Sequence, residues 1–289
     1  MYNNNTYFEL VANENLLVKA TIESKIDIFS SLDYHFITSL ITKYDSGGSR
    51  IAISNDSKIL FCCGYYYGVQ AIDIESKKIV WKNSKIKSIQ KVEVSNSGEY
   101  VFLLTETEKL YTLESYSGLV VKQEKGIRDF YKVNHSDIVF RKKNNLYFKL
   151  EEQINSISNL ENPILFICSF QNDIILSEMY KSLKRVNIIT KETIWISELK
   201  PGFRINYMAS FNDNIIVILA NYSIPLENEN HIIMLDSETG KILKMTQIDS
   251  KYHGFCFSYD GFRLFCSNGD VFDTLTHKRI FKTYNQNKE

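Results

Sequence analysis

The sequence predicts an all-β fold: a single β-propeller of about seven four-stranded antiparallel blades. Its apolar runs are too short for helices, are rich in Ile, Val and aromatics, and are bounded by turn formers. The runs come in fours. They are clearest over residues 51–82, where IAIS, KILFCC, VQAIDI and KIVWK are separated by NDS, YYYG and ESK. The pattern also repeats at a fixed distance. Ser54 maps to Ser95 and Asp73 to Glu114, both 41 residues on, and from Asp73 to Asp273 five intervals average 40 residues. That period matches the roughly 40–45 residues of a four-stranded propeller blade. One such sheet buries too little surface alone, and closing the stack into a ring removes the exposed end sheets of an open array.

Residues 1–49 read as a diverged first blade: TYFELVA, NLLVKAT, KIDIFSS and YHFITSLITK, with turns near Asn13-Glu14, Glu23-Ser24 and Leu32-Asp33. The segment Asp45 to Arg50, DSGGSR, reads as a flexible connection into the second unit. The third unit holds VEVSNSGEYVFLL, LYTLES and SGLVVK, and the fourth, over residues 129–158, keeps the rhythm more weakly in FYKVN, DIVFRKK, LYFKLE and INSIS. The fifth starts at Ile164 with ILFICSF and ends in IWIS. The sixth starts at Ile205 and carries a long NYSIPLENEN loop before HIIMLD. The seventh, from Tyr252, reads GFCFS, FRLFC, VFDTLT and IFKTY. Residues 50–283 thus hold recognisable repeats and residues 284–289 form a tail.

Composition narrows the function classes. Hydrophobic residues make up 44% and aromatics 13% of the 289 residues, a globular profile. Only 3 prolines and 12 glycines occur, with no tract suited to an interdomain linker, so a single domain over residues 1–289 is expected. Lys+Arg and Asp+Glu are equal at 34 each, which disfavours a general nucleic-acid or anionic-membrane binder. The N-terminal MYNNNTYFELVANENLL lacks signal-peptide architecture and no apolar run reaches a membrane span, so the expected location is cytoplasmic. The 5 cysteines show no disulfide framework or zinc-ligand spacing, and Cys256 and Cys266 read as small buried apolar groups.

FSYDGFRLF followed by DVFDTLT resembles the WD-repeat pattern, in which a Ser-x-Asp-Gly turn joins the first two strands and an acidic residue ends the third. ISNDSKILF with AIDIESKKIVW, and MLDSETGKIL, resemble quinoprotein-type propeller repeats, in which a Gly-Lys turn leads towards a Trp on the fourth strand. The resemblance covers about residues 50–283. It implies the propeller fold and leaves function open. Ile72, Leu113, Leu235 and Phe272 replace the WD repeat's third-strand Trp, so plain apolar packing rather than a buried Asp-His-Ser-Trp network is expected between blades.

No hydrolase elbow, P-loop, dinucleotide fingerprint or H-E-x-x-H motif is present, and no cofactor or metal is indicated. Asp73, Glu114, Asp236 and Asp273 read as turn acceptors for backbone N–H groups rather than cation ligands. Trp81 and Trp195 fall on fourth strands, where each ring offers an edge contact or covers the seam to the next blade. The second-to-third strand loops and the blade-to-blade connections of a propeller share one face. That face would gather Tyr65, Tyr66 and Tyr67, Glu106 and Glu108, and Arg141, Lys142 and Lys143. Tyr180 and Lys181, then Tyr222 and Glu227, follow, with Lys85, Lys87 and Lys91 on a connection. Tyr and Arg on loops anchor interfaces, although Tyr65 to Tyr67 also suit a roof over the blade interior. The mixed charge suits a protein partner. The expected function is a non-catalytic protein-binding module, with a propeller enzyme or small-ligand binder using the central channel as the alternative.

Overall fold

Short runs separated by tight turns pair with their sequence neighbours, and every sheet here is such a meander. The structure, a computed structural model, describes residues 7–21, 25–42, 50–132, 138–143, 145–150, 153–159, 164–170, 173–178, 182–187, 189–199, 203–211, 215–222, 230–248, 255–258, 260–266 and 269–282. Sheet 1 comprises β1 (Tyr7–Ala12), β2 (Leu16–Thr21), β3 (Lys25–Ser30) and β4 (Phe36–Ile41). Sheet 2 comprises β5 (Arg50–Ile53), β6 (Ile59–Gly64), β7 (Gly68–Asp73) and β8 (Ile79–Asn83). Sheet 3 has β9 (Ile89–Val94), β10 (Tyr100–Thr105), β11 (Lys109–Glu114) and β12 (Val120–Lys125). Sheet 4 has β13 (Asp129–Lys132), β14 (Ile138–Lys142), β15 (Asn145–Leu150) and β16 (Gln153–Asn159). Sheet 5 has β17 (Ile164–Phe170), β18 (Asp173–Glu178), β19 (Ser182–Asn187) and β20 (Thr193–Glu198). Sheet 6 has β21 (Phe203–Phe211), β22 (Ile215–Tyr222), β23 (Asn230–Asp236) and β24 (Ile242–Ile248). Sheet 7 has β25 (Phe255–Phe257), β26 (Arg263–Cys266), β27 (Asp270–Asp273) and β28 (Arg279–Lys282). Arg50, assigned from sequence to the connecting segment, opens β5 instead, paired opposite Cys63.

The first strands form the hub. β1 lies against β5, β5 against β9, β13 against β17, β17 against β21, β21 against β25 and β25 against β1. Between sheets 3 and 4 the hub is joined by Lys91, whose ammonium donates to the Phe130 carbonyl at 2.7 Å. The ring therefore closes by packing of sheet 7 on sheet 1, and the two sheets share no strand. At this closing seam Leu10 and Leu17 meet Cys256, Phe265 and Val271. Arg263 donates to the Ser31 carbonyl at 3.0 Å and lies over the Tyr34 ring.

Because successive strand residues point to opposite faces, each inner strand feeds two seams. Cys62 packs with Val18, Ile28 and Ile51 between sheets 1 and 2, while Cys63 packs with Phe61, Val92 and Leu103 between sheets 2 and 3. Full burial of a Phe61 or Leu103 side chain contributes about 1.5–3 kcal/mol. Ile72, Leu113, Leu235 and Phe272 are all buried.

Apolar packing is not the whole of the seam. Trp81 on β8 donates its indole N–H to the Ser115 carbonyl of sheet 3 at 2.7 Å, and its ring lies on Gly118. Trp195 on β20 repeats this against Ser237, at 2.8 Å, and Gly240 of sheet 6. Both glycines adopt left-handed φ, and a Cβ would come within 2.5 Å and 2.6 Å of the indole rings. Arg185, buried at the same seam, donates from Nε to Asp173 at 2.7 Å and from Nη1 to the Ser237 carbonyl at 2.9 Å. The expectation of plain apolar packing is corrected accordingly: indole and guanidinium donors satisfy carbonyls that the neighbouring sheet's turn leaves over.

The turns repeat one chemistry. Asp73 and Asp236 accept the N–H groups of Ser76 and Thr239, both at 2.7 Å, and Asp273 accepts that of Thr276 at 2.6 Å. Glu114, one methylene longer, takes the Ser117 hydroxyl at 2.5 Å. Ser54, Ser95 and Ser258 accept the N–H groups of Ile59, Tyr100 and Arg263 within their own hairpins.

Candidate protein-docking face

The described part of the face made by second-to-third strand turns and sheet-to-sheet connections runs chiefly from sheet 2 to sheet 4. Tyr65, Tyr66 and Tyr67 form the turn between β6 and β7, closed by Gly64 opposite Gly68. Gly68 has φ +86, and a Cβ there would sit 2.2 Å from the Asn83 carbonyl oxygen. Only glycine lets the outgoing chain after β8 pass this close. That chain is clamped on both sides: the Ser88 N–H donates to the Tyr65 carbonyl at 2.7 Å, and the Ser88 carbonyl accepts the Glu106 N–H at 2.9 Å.

The three tyrosines divide their roles. Tyr65 donates its hydroxyl to Glu106 across the seam at 2.6 Å, which raises its pKa above the ordinary phenol value. Tyr66 packs edge-on against it at 4.7 Å between centroids. Tyr66 is 68% exposed and Tyr67 42%. Neither roofs the blade interior, so of the two readings of this turn the structure supports outward presentation for these two side chains.

The face continues into sheet 4. Glu108 pairs with Arg128 at 3.3 Å and its carbonyl accepts the Ile127 N–H at 3.0 Å. The Arg128 N–H donates to the Arg141 carbonyl at 2.8 Å, and the stem of Lys142 lies beside Gly126. Arg141 and Lys142 end β14 and Lys143 follows in the turn. Lys85 and Lys87 stand exposed on the clamped connection, while Lys91 is turned into the hub. Tyr222 ends β22 opposite Phe203. Tyr180, Lys181 and Glu227 lie outside the described residues.

Sequence reasoning missed the contacts that join these loops. Tyr65 and Glu106 are 41 residues apart, as are Glu9 and Arg50. The repeat period, applied to loops as well as strands, is the signal that points to both pairs.

The hub holds a second cluster. Glu9 on β1 pairs with Arg50 on β5 at 3.0 Å, with Glu93 of β9 adding like-charge repulsion. Burial pushes the Glu9 carboxyl up to about 7 against the pull of Arg50. Two residues before Glu93 on β9, Lys91 faces Asp129 at 3.6 Å, and Asp129 accepts the Tyr131 hydroxyl at 2.6 Å. Among the described residues no three His, Cys, Asp or Glu side chains are grouped as metal ligands would be. His277 sits at a turn, its Nδ1 2.8 Å from the Thr246 hydroxyl, and burial lowers its imidazole to about 4. His35 lies on an exposed turn beside Asp33.

No family profile matches this sequence, and no curated protein matches it. Solved structures do. The structure of U3-55K matches with a TM-score of 0.74 at 12% identity, covering 92% of this chain and 89% of that one. The RRP9 WD40 repeats match with a TM-score of 0.74 at 11% identity, covering 92% and 88%. BamB from Moraxella catarrhalis matches with a TM-score of 0.63 at 11% identity, covering 90% and 82%. At these identities the likeness concerns the path of the backbone, and what it shows is that this chain has the β-propeller fold.

Proposed function

We propose that this propeller is a non-catalytic protein-binding module that docks partners through the face carrying Tyr66 and Tyr67. One observation carries the reading. Two adjacent tyrosines stand out from a turn whose neighbours are clamped by backbone hydrogen bonds across the seam between sheets 2 and 3. Rigid, exposed tyrosines bring large contact area at low ordering cost, the property of interface anchors. The coarse role is consistent with the WD40 propellers among the structural matches.

The test is Tyr66→Ala with Tyr67→Ala, followed by capture of partners from the source cell and quantitative mass spectrometry. Loss of one anchor costs about 2 kcal/mol or more, so recovery should fall at least about tenfold. Circular dichroism should be unchanged, since neither ring is buried. Undiminished recovery from a folded variant would refute the assignment.

The Glu9, Arg50 and Glu93 cluster supports a second reading, a small-ligand or catalytic site at the hub. Arg50→Ala separates the two: the docking reading requires partner recovery to persist in that variant.

A further inference from the structure

We propose that the face between sheets 2 and 4 recognises an acidic segment of its protein partner. The inference rests on the docking reading above and adds the chemistry of what docks.

Its basis is a like-charge cross-strand pairing found at one place among the described strands. Lys109 and Lys125 are direct cross-strand partners at the end of β11 and β12 nearest the docking face. Like charges directly opposite in a sheet are destabilising. The equivalent pairs in other sheets avoid this: Val69 faces Asn83, Asn145 faces Asn159, Ser182 faces Glu198 and Asp270 faces Lys282. On β11, Lys109 shares with Tyr111 and Leu113 the side that packs towards sheet 2, whose end carries the tyrosine turn. Lys125 is followed by Gly126, against which the stem of Lys142 rests, and Lys143 comes next.

The acidic groups of this sector are already engaged. Glu106 accepts the Tyr65 hydroxyl and Glu108 pairs with Arg128. Asp129 is held by Lys91 and Tyr131, and Glu124 pairs with Lys122 at 3.0 Å. Lys85, Lys87, Lys109, Lys125, Lys142 and Lys143 therefore dominate the potential over a surface whose apolar relief is Tyr66 and Tyr67. Carboxylates spaced along a peptide fit lysine ammoniums as point charges, and tyrosines between them supply contact area. A nucleic-acid strand fits less well. Glu106 and Glu108 interrupt the lysines where a phosphate backbone would need an unbroken run of cations, whereas a peptide can place its carboxylates where the lysines fall.

The test uses the full chain and a short fluorescein-labelled poly-glutamate peptide, read by fluorescence anisotropy against an oligouridylate of equal charge. The expected result is saturable peptide binding that weakens with salt, with the oligouridylate at least about tenfold weaker. Lys125→Glu combined with Lys142→Glu should cut peptide affinity at least about tenfold. Lys125→Glu alone replaces the repulsive pair with an attractive one, so its melting temperature should rise while peptide binding falls. A drop in binding caused by misfolding would instead lower both. Lys85→Gln with Lys87→Gln provides a second reading of affinity on residues outside the sheets.

Absence of peptide binding, insensitivity to the charge reversals, or tighter binding of the oligouridylate would each overturn the proposal. If partner capture is lost in the tyrosine variant but kept in the lysine variants, the docking face stands and the acidic partner falls. If both variants keep their partner, both readings fall.

Discussion

Alanine at Gly240 and at Gly98 should have very different consequences, although both glycines lie in turns with left-handed φ, +68 and +78. A Cβ at Gly98 would meet nothing nearer than the Asn55 side-chain amide at 3.6 Å. Gly98→Ala therefore carries only the backbone cost of a left-handed residue, about 1–2 kcal/mol. A Cβ at Gly240 would come to 2.6 Å from Cε3 of Trp195, a side chain 8% exposed. The ring must move, and with it goes the indole hydrogen bond to the Ser237 carbonyl, worth about 1–3 kcal/mol when a buried group is left unpaired. Gly240→Ala should therefore cost about 2 kcal/mol more than Gly98→Ala. In a chain of this size that is a further drop of about 4–8 °C in melting temperature. Circular dichroism melts and urea titrations measure the difference, and tryptophan fluorescence reports the docked rings directly. Trp195→Ala supplies the cycle: once the ring is gone, alanine at Gly240 should cost no more than alanine at Gly98. Equal shifts for the two glycine variants in the wild-type background would refute the idea that the indole stitches sheet 5 to sheet 6.

Arg185→Ala should destabilise by about 3–5 kcal/mol in urea titrations, because it strands the buried Asp173 with only the Asn187 amide at 2.9 Å; a loss below about 1 kcal/mol would contradict this. Glu9 gives a pH signature. Its folded pKa, about 7, lies above the unfolded value near 4.5, so its contribution is fully present below about pH 4.5 and is lost as pH rises through 7. Glu9→Gln should remove that loss, and its stability relative to the parent should grow across this window by roughly 3 kcal/mol. A pH-independent difference in melting between the two proteins would contradict it.

Much of the fold was legible in the sequence because turns and strand alternation are local. The Ser54 and Ser95 landmarks and the acidic ends of β7, β23 and β27 mark groups that satisfy their own hairpins, so residue type and spacing suffice to find them. What escaped was what acts between sheets. MLDSETGKIL suggested a glycine leading to a Trp on the same hairpin; in the structure the glycine receives the Trp of the preceding sheet. The distance from Trp81 to Gly118 differs from that between Trp195 and Gly240, so no fixed interval exposes the relation. Within a sheet, the Lys109–Lys125 opposition depends on register, which composition does not encode. Arg50 was hidden by the Gly- and Ser-rich sequence before it, and its place in β5 shows only in its pairing opposite Cys63.

Each blade takes all four strands from one uninterrupted stretch of chain, and the circle is completed by side chains such as Leu10 and Phe265 rather than by a borrowed strand. Every sheet can therefore be finished as soon as its own residues have been synthesised, and only the last contact waits for the whole polypeptide. The same arrangement concentrates mechanical weakness at one boundary. No boundary has a shared ladder, but each of the others is also bridged by the chain running from one sheet to the next. Sheets 1 and 7 are held by buried apolar contacts and a few side-chain bonds alone, so the circle should part there first.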